Sequence, residues 1–169
     1  MPHVLNKMLG SMPFLKYRQP VARLMNQILV AVDGSKHSEK IAEEAVTVAK
    51  SMGAKILLLY VCPKSLDVPE EFREFARAED VDLSQYYSMV SDEILLKIGT
   101  RIKGKGIEFE GISGFGRASD QILEVAKARG VSMIVVGMHG LHAVRDIKLL
   151  GTTARRVIEQ SPVPVVVVP

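Results

Sequence analysis

Met133-Ile134-Val135-Val136-Gly137-Met138-His139-Gly140, followed after ten residues by Gly151-Thr152-Thr153, is the stretch that decides the fold. Four apolar residues run into a glycine-rich turn, and a segment of helical period carrying Ala154, Val157 and Ile158 begins after Gly151. A short buried strand, a glycine turn and a helix form the unit from which parallel sheets are wound. Glycines let backbone N–H groups approach a phosphate, and a helix start adds unpaired donors and the positive end of a dipole. The pattern suits a nucleotide cradle. A tight turn that merely enters a helix accounts for the same glycines.

Working outward, four further apolar runs alternate with segments of helical period. Ile28 to Val32 ends at Asp33-Gly34-Ser35, after which Ser35 or Ser38 is expected to cap a helix carrying Ile41, Ala45, Val48, Ala49 and Met52 and ending at Gly53. Lys55 to Val61 is nearly all apolar, as a central strand buried on both faces must be. Pro69, Glu70 and Glu71 suit the start of a small helix in a flap beside the sheet, and a long helix is expected from Leu83 to Lys103 with Ile94, Leu95, Ile98 and Ile102 on one face. Ile107 to Ile112 reads as an edge strand because Glu108 and Glu110 interrupt it. A helix with Ile122, Val125 and Ala126 stops near Gly130, and Val163 to Val168 is the last strand, restrained by Pro162 and Pro164. The result is an α/β domain, a parallel sheet covered by helices on both faces. In such sheets ligands bind beyond the strand carboxyl ends where the strand order reverses. Asp33, Val61 to Cys62 and Gly137 to Gly140 lie at such ends and surround one crevice if the first and fourth strands are neighbours.

Composition narrows the function classes. At 169 residues, 47% apolar and 24% charged, the chain makes one ordinary core. Its formal charge of +3 is concentrated in residues 1–26, where Lys7, Lys16, Arg18 and Arg23 meet no acidic residue; the remainder balances 18 basic against 19 acidic residues. With aromatics at 5% and no Trp, this balance does not suggest the basic, stacking surface of a nucleic-acid binder. The sole cysteine, Cys62, makes no disulfide framework and closes an apolar strand, so a buried thiol in a reducing cytoplasm is expected. No run of 18 apolar residues exists to span a membrane, and Lys7 and Pro13 interrupt any signal-peptide core, so residues 1–26 read as a basic extension before a domain at 27–169.

From Gln27 to Pro169 the chain resembles the universal stress protein family. The resemblance rests on Ile28-Leu29-Val30-Ala31-Val32-Asp33-Gly34-Ser35, Gly116-Arg117-Ala118-Ser119-Asp120-Gln121-Ile122, Val135-Val136-Gly137-Met138-His139-Gly140, Leu149-Leu150-Gly151-Thr152 and Pro162-Val163-Pro164-Val165-Val166. It implies a three-layer, Rossmann-like sandwich of the adenine nucleotide alpha hydrolase-like type, with a five-stranded parallel sheet of order 3-2-1-4-5. It also implies a homodimer built through the last strand, and, in many members, ATP or another adenine nucleotide, with Mg²⁺. By resemblance Ala31, Val32, Asp33 and Val61 line the base, and Gly137, Met138, His139 and Gly140 run along ribose and the first phosphates. Gly151, Thr152 and Thr153 meet the outer phosphates; simple N-capping is the other role open to the two threonines. ATP-binding members place nine residues between Gly-x-x-Gly and the following glycine, whereas ten separate Gly140 from Gly151 here. A loop can absorb one residue as a bulge. His142, Arg145 and Lys148 add charge nearby or form a solvated loop face.

Gly99-Thr100-Arg101-Ile102-Lys103-Gly104-Lys105 fits seven positions of a Walker A motif, but Gly106 stands where Ser or Thr is required and the segment ends a helix. No catalytic constellation or metal set is marked by spacing. The expected activity is therefore regulatory nucleotide binding in a stress response, acting on a further protein, with at most weak ATP hydrolysis. A dimeric interaction module without nucleotide is the alternative.

Overall fold

A computed structural model describes residues 26–63, 68–140 and 150–169. The elements run in the order β1 (Gln27–Val32), α1 (His37–Met52), β2 (Lys55–Cys62), α2 (Glu70–Ala78), α3 (Ser84–Gly104), β3 (Phe109–Phe115), α4 (Ala118–Arg129), β4 (Met133–Gly137), α5 (Thr152–Gln160) and β5 (Val165–Val168). The five strands form one parallel sheet of order β3-β2-β1-β4-β5. Alternation along each strand divides the core into two layers. Ile28, Val30 and Val32 of β1 with Ile56, Leu58 and Tyr60 of β2 face α1 and α3, where Ile41, Ala45, Ile98 and Ile102 meet them. Leu29, Leu57 and Leu59 face the other way, onto Ile122 and Ala126 of α4 and Ala154 and Val157 of α5. β2 is buried on both faces, with Ile56 to Leu59 all at 0% exposure. Each such side chain contributes about 1.5–3 kcal/mol through burial.

Boundaries moved where hydrogen bonding overrode composition. The third strand covers Phe109–Phe115 rather than Ile107 to Ile112. The Ile107 N–H is turned back to the Ile102 carbonyl at 3.4 Å, and the partners offered by β2 continue to Cys62, which pairs with Phe115. The last strand is Val165–Val168, not Val163 to Val168, because Ser161 Oγ donates to the Val163 carbonyl and accepts its N–H, holding Val163 in a turn. Neither Ser35 nor Ser38 caps α1; Lys36 occupies the cap without a side-chain bond. The Walker-like glycines lie at the end of α3, where a Cβ on Gly99 would stand 2.2 Å from the Phe109 ring, so that glycine serves helix-to-sheet packing. Cys62 is a buried free thiol, its pKa raised by burial. Among the described residues no helix is long and apolar enough to cross a membrane. The basic segment 1–25 lies outside the described residues, as do His142, Arg145, Lys148 and Leu149 of the loop after Gly140.

Candidate functional site

β1 lies between β2 and β4, so the strand order reverses at the β1/β4 boundary, and open parallel sheets take their ligands beyond the strand carboxyl ends at such a point. Asp33 follows directly on β1. Its Oδ1 accepts the Ser35 N–H at 3.0 Å and the Ser38 hydroxyl at 2.9 Å, while the same hydroxyl accepts the Asp33 N–H at 3.2 Å. Asp33 is therefore a turn-forming residue, and the turn fixes its carboxylate rather than consuming it. The other oxygen, Oδ2, lies 3.8 Å from the place where a Cβ on Gly140 would stand. Gly34 follows at φ +77, and a Cβ there would press to 2.8 Å against Ile94, so this turn admits only glycine at that position.

The glycine segment enters from β4. Gly137 is the last strand residue, and a Cβ on it would meet Ile41 at 2.8 Å and the His139 carbonyl oxygen at 3.2 Å. Met138 is tied on both sides: its N–H donates to the Val168 carbonyl at 2.7 Å and its carbonyl accepts the Gly151 N–H at 2.8 Å. The second of these bonds draws together the two glycine segments that ten residues separate in sequence. The ends of the loop are thus in contact whatever its length, and the extra residue lies between those fixed ends. Gly140 is exposed, and among the described residues only the Asp33 carboxylate lies near its would-be Cβ.

Gly151 occupies the cap position of α5, and no side chain caps this helix. Thr152 is the first helical residue, so neither threonine acts as the N-cap. The opening N–H groups of an α-helix have no partner inside it, and here those of Thr152 and Thr153 stand beside the Met138–Gly140 turn. Ala31 and Val61 are half-buried near the strand ends on the α4/α5 side, and Leu150 packs against the same apolar layer. The buried Val32 pairs in register with Tyr60, which places Val61 beside Asp33 along the sheet. A polar carboxylate, an apolar rim and a helix N-terminus with open glycine backbone offer complementary surfaces to a base, a ribose and phosphates.

Three neighbours of the site escaped the sequence reading. Ser38 is 0% exposed and locks the Asp33 turn, a role that its place near a helix start disguises as a cap. His37 Nε2 sits 3.2 Å from the Val168 carbonyl oxygen, one turn before Ile41 on the apolar face of α1. Tyr60 is buried, and its hydroxyl pKa is raised by burial first and then by repulsion from Cys62, when that thiol is ionised, and from Asp33. Among the described residues no group of three His, Cys, Asp or Glu side chains is placed to hold a metal ion.

The model of the universal stress protein family matches residues 25–169. Universal stress protein YxiE of Bacillus subtilis is 30% identical over 148 residues, covering 86% of this chain and 99% of its own. Universal stress protein MJ0531 of Methanocaldococcus jannaschii is 28% identical, with coverages of 86% and 82%. Among solved structures, a universal stress protein in complex with cAMP shares the fold at a TM-score of 0.60, with 22% identity and coverages of 85% and 93%. The universal stress protein of Archaeoglobus fulgidus in complex with dAMP does so at 0.59, with 21% identity and coverages of 86% and 99%.

Proposed function

The chain belongs to the universal stress protein family, and we propose that it binds an adenine nucleotide, ATP with Mg²⁺ or its AMP and ADP forms, in the crevice between β1 and β4. The observation that carries this reading is the bond from Gly151 N–H to the Met138 carbonyl, which brings the start of α5 onto the glycine turn opposite Asp33. Asp33 and the Val61 backbone would meet the polar edge of the base, with the Ala31 side chain and the Val32 backbone lining it. Gly137, Met138, His139 and Gly140 would follow the ribose and inner phosphates. Gly151, Thr152 and Thr153 would hold the outer phosphates at the positive end of the helix. The cAMP and dAMP held by two proteins of the same fold support an adenine ligand.

The role is regulatory: a homodimer, working in the cytoplasm during stress, whose bound nucleotide changes how it meets another protein. Steady ATP turnover is expected below about one per second, the lower end of ordinary enzyme rates, because no spacing in the sequence marks a residue to activate water. A faster steady-state rate in a phosphate-release assay would contradict the regulatory role. The binding itself is tested by acid-denaturing the desalted protein and measuring adenine absorbance in the released fraction after incubation with ATP.

A further inference from the structure

The pair formed by α2 and the start of α3 differs in character from the rest of the surface. Between Val68 and Glu93 the chain carries eight carboxylates and two cations, whereas the chain as a whole is basic. Four of the chain's nine aromatic residues lie in this segment, and Phe115 of β3 continues them in one series of ring contacts. Ring centroids are spaced 6.0 Å from Phe75 to Phe72, 5.0 Å to Tyr86, 6.3 Å to Tyr87 and 5.4 Å to Phe115. The inner rings cement the flap to the sheet end, and Tyr87 reaches the core beneath α3. The outer ends do not share that role: Phe75 is 52% exposed and Phe115 50%.

Helical spacing places Phe75 between Glu71 and Glu79, with Glu74 alongside. Arg73 and Arg77 lie on the opposite side of α2, where Arg77 donates to Glu70 at 3.3 Å and Arg73, whose Nε–H donates to the Val68 carbonyl, forms an ion pair with Glu70 at 3.9 Å. The face around Phe75 is thus an aromatic ring framed by carboxylates. Such a face favours a segment that mixes apolar side chains with cations, because a ring face attracts a cation and the carboxylates repel acidic sequences. Residues 1–25 have that chemistry: four cations, no acidic residue, and Leu5, Met8, Leu9, Phe14 and Leu15 among them. Reach is no obstacle. Twenty-five residues span up to about 80 Å, against about 20 Å for the length of β1 that separates Asn26 from the sheet end where the flap stands.

We propose that residues 1–25 dock on the acidic face of α2 around Phe75 in the same chain. The contact is independent of any nucleotide in the crevice. Zero-length carbodiimide coupling of the full chain, followed by mass spectrometry of the digest, should join Lys7 or Lys16 to Glu71, Glu74 or Glu79. The yield should fall about fivefold in Phe75→Ser, which removes one anchoring ring and keeps every carboxylate. It should fall similarly in Glu74→Gln, read at Glu71 and Glu79, and near 1 M salt, where the screening length shrinks to about 3 Å. Couplings absent from α2, or unchanged by Phe75→Ser, would overturn the proposal. So would couplings that join only differently isotope-labelled chains in a mixed sample.

Discussion

Gly140→Val should abolish the thermal shift that ATP with Mg²⁺ gives the unaltered protein. At a hundredfold excess over the dissociation constant, a ligand that binds only the folded state adds about 2.7 kcal/mol. For a chain of this size that corresponds to a rise of about 5–10 °C in melting temperature. Gly140 is the suitable position because the fold does not need it. Among the described residues a Cβ there meets nothing closer than Asp33 Oδ2 at 3.8 Å, and its backbone is not in the left-handed region. Gly137→Val would drive a side chain into Ile41, and Gly151→Val into the Met138 carbonyl, so either would confound binding with stability. The ligand-free melting temperature of Gly140→Val should stay within about 2 °C of the parent, as for surface substitutions generally. A ligand shift that survives the substitution would remove Gly140 from the cradle.

Val166→Asp should convert the expected homodimer to monomer in sedimentation, while deletion of residues 1–26 should leave the dimer intact. The Pro164 carbonyl accepts the Ile134 N–H and the Val168 carbonyl accepts the Met138 N–H. By the two-residue period, Val166 turns the same way, toward β4, and Val165 and Val167 present their N–H and C=O to the open edge. An exposed edge of β-branched residues is a template for a second copy meeting it across a two-fold axis. The structure adds one complication. Val166 also packs on the α1/α3 layer of its own chain, so a carboxylate there costs several kcal/mol in the fold as well as at the dimer contact. Val167→Pro separates the two effects, since it removes an outward donor that β4 does not use. A monomeric parent protein, a dimeric Val167→Pro, or a dimer lost only on removal of residues 1–26 would contradict assembly through β5.

The layers of the fold were legible because apolar runs mark strands buried on both faces, and β2 from Ile56 to Leu59 is such a run. Edge strands were harder. β3 continues through Gly111, Ser113 and Gly114 because β2 supplies hydrogen-bond partners, which composition does not record. Val163 carries strong β preference, yet a local bond to Ser161 competes successfully for its backbone. At the crevice, the glycines were visible as motifs, while the bond closing Gly151 onto Met138 depends on two elements meeting in space. Ser38 illustrates the same limit: a serine near a helix start reads as a cap, and only the tertiary turn shows it serving Asp33. The ring line from Phe75 to Phe115 joins residues from α2, α3 and β3, a proximity that no sequence period encodes.

Calorimetric titration of the full chain with ATP and Mg²⁺, carried to millimolar nucleotide, tests nucleotide binding most directly. A saturable heat with one nucleotide per chain, lost in Gly140→Val, is the expected result. Absence of heat in the unaltered protein, with no thermal shift under the same conditions, would contradict it and leave the fold serving as a nucleotide-free interaction module.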